Sequence, residues 1–310
     1  MSRIHDALKK AEEQRLAAVG RSPEPSSPNE SSFSDPAEPL LPAGGLASND
    51  TQASFDTDTY ASAPDRLQTC PRTVWSPTKD AIFLSAQSNN APGMEEFRTL
   101  RAKLFQLRAK KPVKRILVSS ALPGEGKSFV SANLAQAFAR QRGTKALLID
   151  ADLRKPHCHE LLGAPSSPGL YEYLAGVAGA YEIIQRSSID DDFYFIPGGI
   201  MSSGAAELIG NGRMQQLLDT LAPLFTWIII DSSPVIPVSD PTRVVEHCDG
   251  VLLVVRADST PQAAAERAKR DFQHAPLLGV VFNQADVSTD RNYWYSYSYP
   301  EYPRQDLSSR

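Results

Sequence analysis

The sequence predicts an α/β domain in which a parallel β-sheet is covered by helices on both faces. Three observations carry this. Short apolar runs such as Ile228-Ile229-Ile230 and Val251-Leu-Leu-Val-Val255 recur and have strand length. Helical patterns separate them. A glycine-rich turn joins one such run to a helix. Strands that are apolar at every position are buried on both faces, and strands separated by helices run parallel.

In chain order, residues 1–19 predict a short charged helix with Ile4, Leu8 and Ala11 on one face, a candidate partner contact. Residues 20–80 are rich in Pro, Ser, Ala and Asp and predict a disordered linker, because they bury too little apolar surface to offset ordering entropy. The folded domain is expected over residues 81–284. It opens with a helix at 92–110 carrying Phe97, Leu100 and Leu104 on one side. Strands are expected at 115–120, 145–150, 193–197, 227–231, 250–256 and 277–283. Helices are expected from the glycine-rich turn to about 140, then at 204–222, 239–247 and 260–273. Residues 285–310 predict a flexible tail rich in tyrosine.

Composition narrows the function. The 310 residues carry a net charge of −4, which gives no basic footprint for nucleic acid. Cys70, Cys158 and Cys248 are far apart and form neither a metal spacing nor a disulfide framework, so a reducing compartment is expected. The polar N-terminus does not read as a secretory signal. No apolar run approaches the ~20 residues that a membrane helix needs.

The turn after strand 115–120 reads Ala121-Leu-Pro123-Gly124-Glu125-Gly126-Lys127-Ser128 and fits the phosphate-binding pattern G-x-x-x-x-G-K-[ST] with alanine first. Gly124 and Gly126 let backbone N–H groups converge on phosphate oxygens. Lys127 neutralises the β and γ phosphates, Ser128 is a Mg²⁺ ligand, and the helix that begins near Phe129 adds its N-terminal dipole. The whole loop, Pro123 to Phe129, is therefore the candidate nucleotide site. Asp150 and Asp152 end the next strand and face the same place, since ligands gather at the C-terminal ends of parallel strands. One is a candidate proton acceptor and the other a metal ligand. Asp231 ends Trp227-Ile-Ile-Ile-Asp231, an apolar strand that carries a carboxylate towards Mg²⁺. His157 and His159 have no third ligand near them in sequence and read as loop residues.

These elements resemble the bacterial tyrosine kinases of capsule and exopolysaccharide systems, the P-loop autokinases. The resemblance covers residues 81–310. It implies a P-loop NTPase-like fold with Ala121–Ser128 as Walker A, Leu147–Arg154 as Walker A′ and Ile228–Asp231 as Walker B. Arg154-Lys-Pro156, Pro197-Gly-Gly199, Glu207-Leu208, Ser239-Asp240 and Cys248-Asp249-Gly250 also fit. The resemblance implies ATP and Mg²⁺ as cofactors and Asp150 as the base that activates a tyrosine. Asp152 and Asp231 would help hold the metal, and Asn283 sits where related nucleotide-binding folds often use an Asn to read adenine.

Glu95-x-x-Arg98-x-x-Arg101 resembles the family's oligomerisation motif, whose spacing keeps the charges on one side of a helix. The tail tyrosines Tyr293, Tyr295, Tyr297, Tyr299 and Tyr302 resemble its phosphoacceptor cluster, modified in trans by a neighbour in a ring-like homo-oligomer. Phosphates on several of them would repel neighbours and open the ring. The family also implies a cytoplasmic protein recruited to the inner membrane by a separate polysaccharide co-polymerase that activates it, and a cognate tyrosine phosphatase. One departure stands out: the Walker B strand often ends Asp-Thr-Pro-Pro, whereas this chain has Asp231-Ser-Ser-Pro234, which predicts a changed loop shape with the metal carboxylate kept.

Two alternatives remain at this level. ATPases of the ParA/MinD class share the P-loop, but they carry an early lysine where this chain has Leu122, and they lack a tyrosine-rich tail. A non-catalytic ATP-bound scaffold would need Lys127, Asp150, Asp152 and Asp231 just as a kinase does.

Overall fold

The computed structural model describes residues 66–77, 93–188, 190–200 and 205–285. The expected N-terminal helix, most of the linker and the tyrosine-rich tail lie outside the described residues.

Alternate residues of the central strands sort onto opposite faces, as the two-residue period requires. The strands are β1 (Arg72–Thr73), β2 (Arg115–Ser120), β3 (Ala146–Asp150), β4 (Gln185–Ser187), β5 (Phe193–Ile196), β6 (Trp227–Asp231), β7 (Gly250–Arg256) and β8 (Leu277–Asn283). They form one sheet in the order β1-β4-β5-β3-β6-β2-β7-β8. Leu117, Leu147, Ile149, Ile228, Ile230 and Leu253 point into one apolar core. Ile116, Val118, Leu148, Ile229, Leu252 and Val254 point into the other.

The helices are α1 (Met94–Arg108), α2 (Lys127–Ala139), α3 (Cys158–Leu162), α4 (Leu170–Leu174), α5 (Ala205–Leu208), α6 (Arg213–Leu221), α7 (Asp240–Val244) and α8 (Gln262–Asp271). Helix α2 is buried on nearly every side, which is why it carries no amphipathic stripe. It is pinned by Phe138, which stacks on Trp227 of β6 at 4.2 Å between ring centroids. Helix α1 lies outside it: Phe97 meets Phe129 edge-on, and the Arg101 guanidinium donates to the Ala137 carbonyl (2.7 Å). Helix α6 covers the opposite face with Met214, Leu217, Leu218 and Leu221.

The expected parallel sheet is present with one exception: β4 and β5 pair antiparallel. Three further differences have local causes. The helix expected over 204–222 is two helices, because Gly212 takes a left-handed φ of +79° before α6. Strand β8, expected to be buried on both faces, is an edge strand, and its Val280 and Phe282 are 44% and 60% exposed. Residues 66–77, read from composition as linker, pack on the domain. There β1 pairs with β4, and Leu67 and Trp75 are buried. The Trp75 ring meets Phe193 and Phe195 edge-on at 5.2 Å and 6.0 Å. Two anchoring side chains within a polar stretch are invisible to an average over composition.

Candidate active site

Strand order assembles the site. β6 lies between β3 and β2, so the segments leaving these three strands share one edge of the sheet. Register pairs Asp150 with Asp231 and Val118 with Asp231. The expected convergence of the P-loop, Asp150, Asp152 and Asp231 is therefore a direct consequence of topology.

The loop from Ala121 to Gly126 wraps the N-terminus of α2. Gly124 and Gly126 have φ of +80° and +87°, a region that side-chain-bearing residues rarely adopt. A Cβ on Gly124 would meet open space, whereas one on Gly126 would collide with the Asn283 amide. Glu125 folds inward and accepts the Leu122 N–H (2.8 Å), and Thr260 hydrogen-bonds its other carboxylate oxygen.

Lys127 reaches across the strand ends to Asp152, with Nζ 2.9 Å from Oδ2. Burial alone would lower its affinity for a proton, but the Asp231 and Asp152 carboxylates outweigh burial and hold it firmly protonated. Asp231 accepts from Ser128 Oγ (2.6 Å) and Ser131 Oγ (3.0 Å). Burial pushes the Asp231 carboxyl up, while Lys127, Ser128 and Ser131 pull it back.

Asp150 is fully buried. One of its oxygens accepts the His157 and Cys158 N–H groups, both at 2.9 Å. The other accepts the Asp152 N–H (3.2 Å). Burial first and Asp231 second push its carboxyl up to about 8, against the pull of those backbone donors. Asp152 also accepts from Ser233 Oγ (2.9 Å) and the Lys155 N–H (3.2 Å). The departure from the family's Walker B ending thus has a concrete result: a serine hydroxyl orients the Asp152 carboxylate.

Several residues here escaped sequence reasoning. Ser131 lies one helical turn beyond Ser128, a spacing that would have flagged it. Cys158 is buried with its Sγ 3.4 Å from Asp231 Oδ2; burial first and then the two carboxylates raise its thiol well above the usual range. Together Asp150, Cys158 and Asp231 form a compact group of potential ligand atoms. Arg154 pairs with Asp240 (2.6 Å), joining two motifs that sequence left apart. Asp249 accepts the Lys114 and Arg115 N–H groups and so fixes the start of β2. His157 precedes the first turn of α3 and pairs with Glu160 at 2.9 Å, whereas His159, also read as a loop residue, lies within α3.

The remaining candidates divide. Asn283 reaches the P-loop and donates to the Glu125 carbonyl (2.9 Å). Glu95 and Arg98 pair with each other at 3.0 Å on the exposed side of α1, while Arg101 turns inward to α2. Tyr293, Tyr295, Tyr297, Tyr299 and Tyr302 lie outside the described residues.

The donor set fits a hard divalent cation. Ser128 and Asp231 offer oxygens already side by side, with Asp152 nearby, and magnesium favours such oxygen ligands.

A family model described as an AAA domain matches residues 113–263. The tyrosine-protein kinase YwqD of Bacillus subtilis is 32% identical over 203 residues, which cover 65% of this chain and 85% of YwqD. The chain belongs to the bacterial tyrosine-protein kinases. The kinase domain of Escherichia coli tyrosine kinase ETK superposes with a TM-score of 0.62 at 30% identity, covering 69% of this chain and 85% of that domain. EpsB of Ralstonia nicotianae is 34% identical over 222 residues, or 71% of this chain, but the match spans only 29% of EpsB. This kinship removes the ParA/MinD class as the leading alternative. Among the described residues, no helix is long and apolar enough to cross a membrane.

Proposed function

We propose that the protein is a Mg·ATP-dependent protein-tyrosine autokinase that phosphorylates its own C-terminal tyrosines, in trans, and regulates the polymerisation and export of a capsular or exopolysaccharide. The observation that carries this reading is the convergence of Lys127, Ser128, Asp150, Asp152 and Asp231 beside a phosphate loop in a chain of tyrosine-kinase kinship.

In this reading the loop N–H groups and Lys127 hold the phosphates, while Ser128, Asp152 and Asp231 hold Mg²⁺. The ion, when bound, offsets charge on the transferred group. The tyrosine oxygen bonds to the γ-phosphorus as the bond to the β–γ bridging oxygen breaks, and ADP leaves. The phenolic proton passes to Asp150 in its ionised form. Tyr293, Tyr295, Tyr297, Tyr299 and Tyr302 are the acceptors. Glu95, Arg98 and Arg101 support a ring-like homo-oligomer, a membrane-embedded co-polymerase recruits and activates the kinase at the inner membrane, and a phosphatase resets it.

The test is phosphotyrosine mapping by mass spectrometry after incubation with Mg·ATP, beside Lys127→Met and Asp150→Asn. Phosphate on Tyr293–Tyr302 in the wild type and in neither variant is the expected result. ATP hydrolysis without phosphotyrosine, even with a co-polymerase segment added, would sink the kinase reading.

A further inference from the structure

Glu125 is the only acid in the phosphate loop, yet it is 3% exposed and both of its carboxylate oxygens are engaged within the protein. Its side chain closes the loop on itself through the Leu122 N–H. It also accepts the hydroxyl of Thr260, 135 residues away in sequence. Thr260 is oriented in turn, because its oxygen accepts the Arg256 N–H at the end of β7 (3.1 Å). The loop is gripped at the same residue through its backbone, since Asn283 at the end of β8 donates its amide to the Glu125 carbonyl (2.9 Å). That amide occupies the space a Cβ on Gly126 would need. Arg256 and Asn283 are register partners, and the Ala257 N–H donates to the Asn283 carbonyl (2.9 Å).

A phosphate loop must leave its N–H groups turned towards the ligand, so it needs support from outside to keep its shape. We propose that Thr260 and Asn283, acting through Glu125, are positioning residues that brace the phosphate loop from the ends of β7 and β8. Asn283 then serves the phosphates, not the base, which differs from the adenine-reading role expected from related nucleotide-binding folds. The inference rests on the nucleotide-binding reading above.

Calorimetric titration of the full chain with Mg·ATP, and separately with inorganic tripolyphosphate and Mg²⁺, tests it. Thr260→Val and Asn283→Ala should each weaken both ligands by the same factor, about threefold to tenfold, the scale of one hydrogen bond. Thr260→Ser, which keeps the hydroxyl, should keep wild-type affinity, and the ligand-free melting temperatures of the other two variants should fall by only a few degrees, about 2–4 °C per kcal/mol of lost hydrogen bonding. Asn283→Ala weakening ATP alone would assign Asn283 to the base and overturn the brace. Unchanged affinities in Thr260→Val would do the same for Thr260. A wild-type chain that binds neither ligand would overturn the nucleotide reading and the brace together, whereas wild-type binding with indifferent variants overturns the brace alone.

Discussion

At the scale of single residues, buried carboxylates trade stability for chemistry. Asp150, Asp152 and Asp231 are all buried, and two of them, Asp152 and Asp231, share one Lys127. Asp150 is raised from 3.8 to about 8 in the folded chain, chiefly by burial. A raised folded value means that the folded state holds the proton more tightly. This contribution to stability is present below pH 3.8 and is lost as pH rises towards 8. Urea unfolding of the ligand-free chain should therefore show stability falling over this window, and Asp150→Asn should flatten that part of the slope. An unchanged slope would show that Asp150 does not titrate there. Ser233→Ala removes the hydroxyl that orients Asp152. We expect the initial rate of phosphotyrosine formation to fall about threefold to tenfold, with rescue by Ser233→Thr.

At the scale of elements, α1 carries a surface ion pair and an inward tie that its spacing alone cannot separate. The charges of Glu95, Arg98 and Arg101 recur every third residue. Arg98 pairs with Glu95 at the surface, whereas Arg101 ties α1 to the last turn of α2. Arg98→Ala should change the mass seen by light scattering while shifting monomer stability by less than about 0.5 kcal/mol. Arg101→Ala should also destabilise the monomer, by about 1 kcal/mol or more, since it leaves the Ala137 carbonyl without that donor. Equal urea midpoints for the two variants would contradict this division. The same care applies to β8, whose apolar sequence suggested burial. Its position at the sheet edge leaves Val280 and Phe282 exposed among the described residues.

At the scale of the molecule, the domain reaches further towards the N-terminus than composition suggested. Trp75 is buried against Phe193 and Phe195. Leu67 belongs to the core on the opposite face of the sheet. Trp75→Ala should cost about 3–5 kcal/mol, as truncation of a buried aromatic does. A chain shortened to begin at residue 81 should melt well below one that begins at residue 60. Matching melting curves would return residues 66–77 to the linker.

The parts legible in sequence were those whose chemistry is local. The P-loop pattern, the acids that close β3 and β6, and the strand–helix alternation each lie within a few residues, where spacing and dihedral preference fix the outcome. Tertiary structure decided whatever depends on which distant segments become neighbours. It placed β6 between β3 and β2, and so set Asp150 beside Asp231. It brought Ser233 to Asp152 and Thr260 to Glu125, turned Arg101 inward, and seated Trp75 on β5. These contacts depend on strand order and register, which are set by the packing of the whole sheet and leave no periodic trace in the segments that make them.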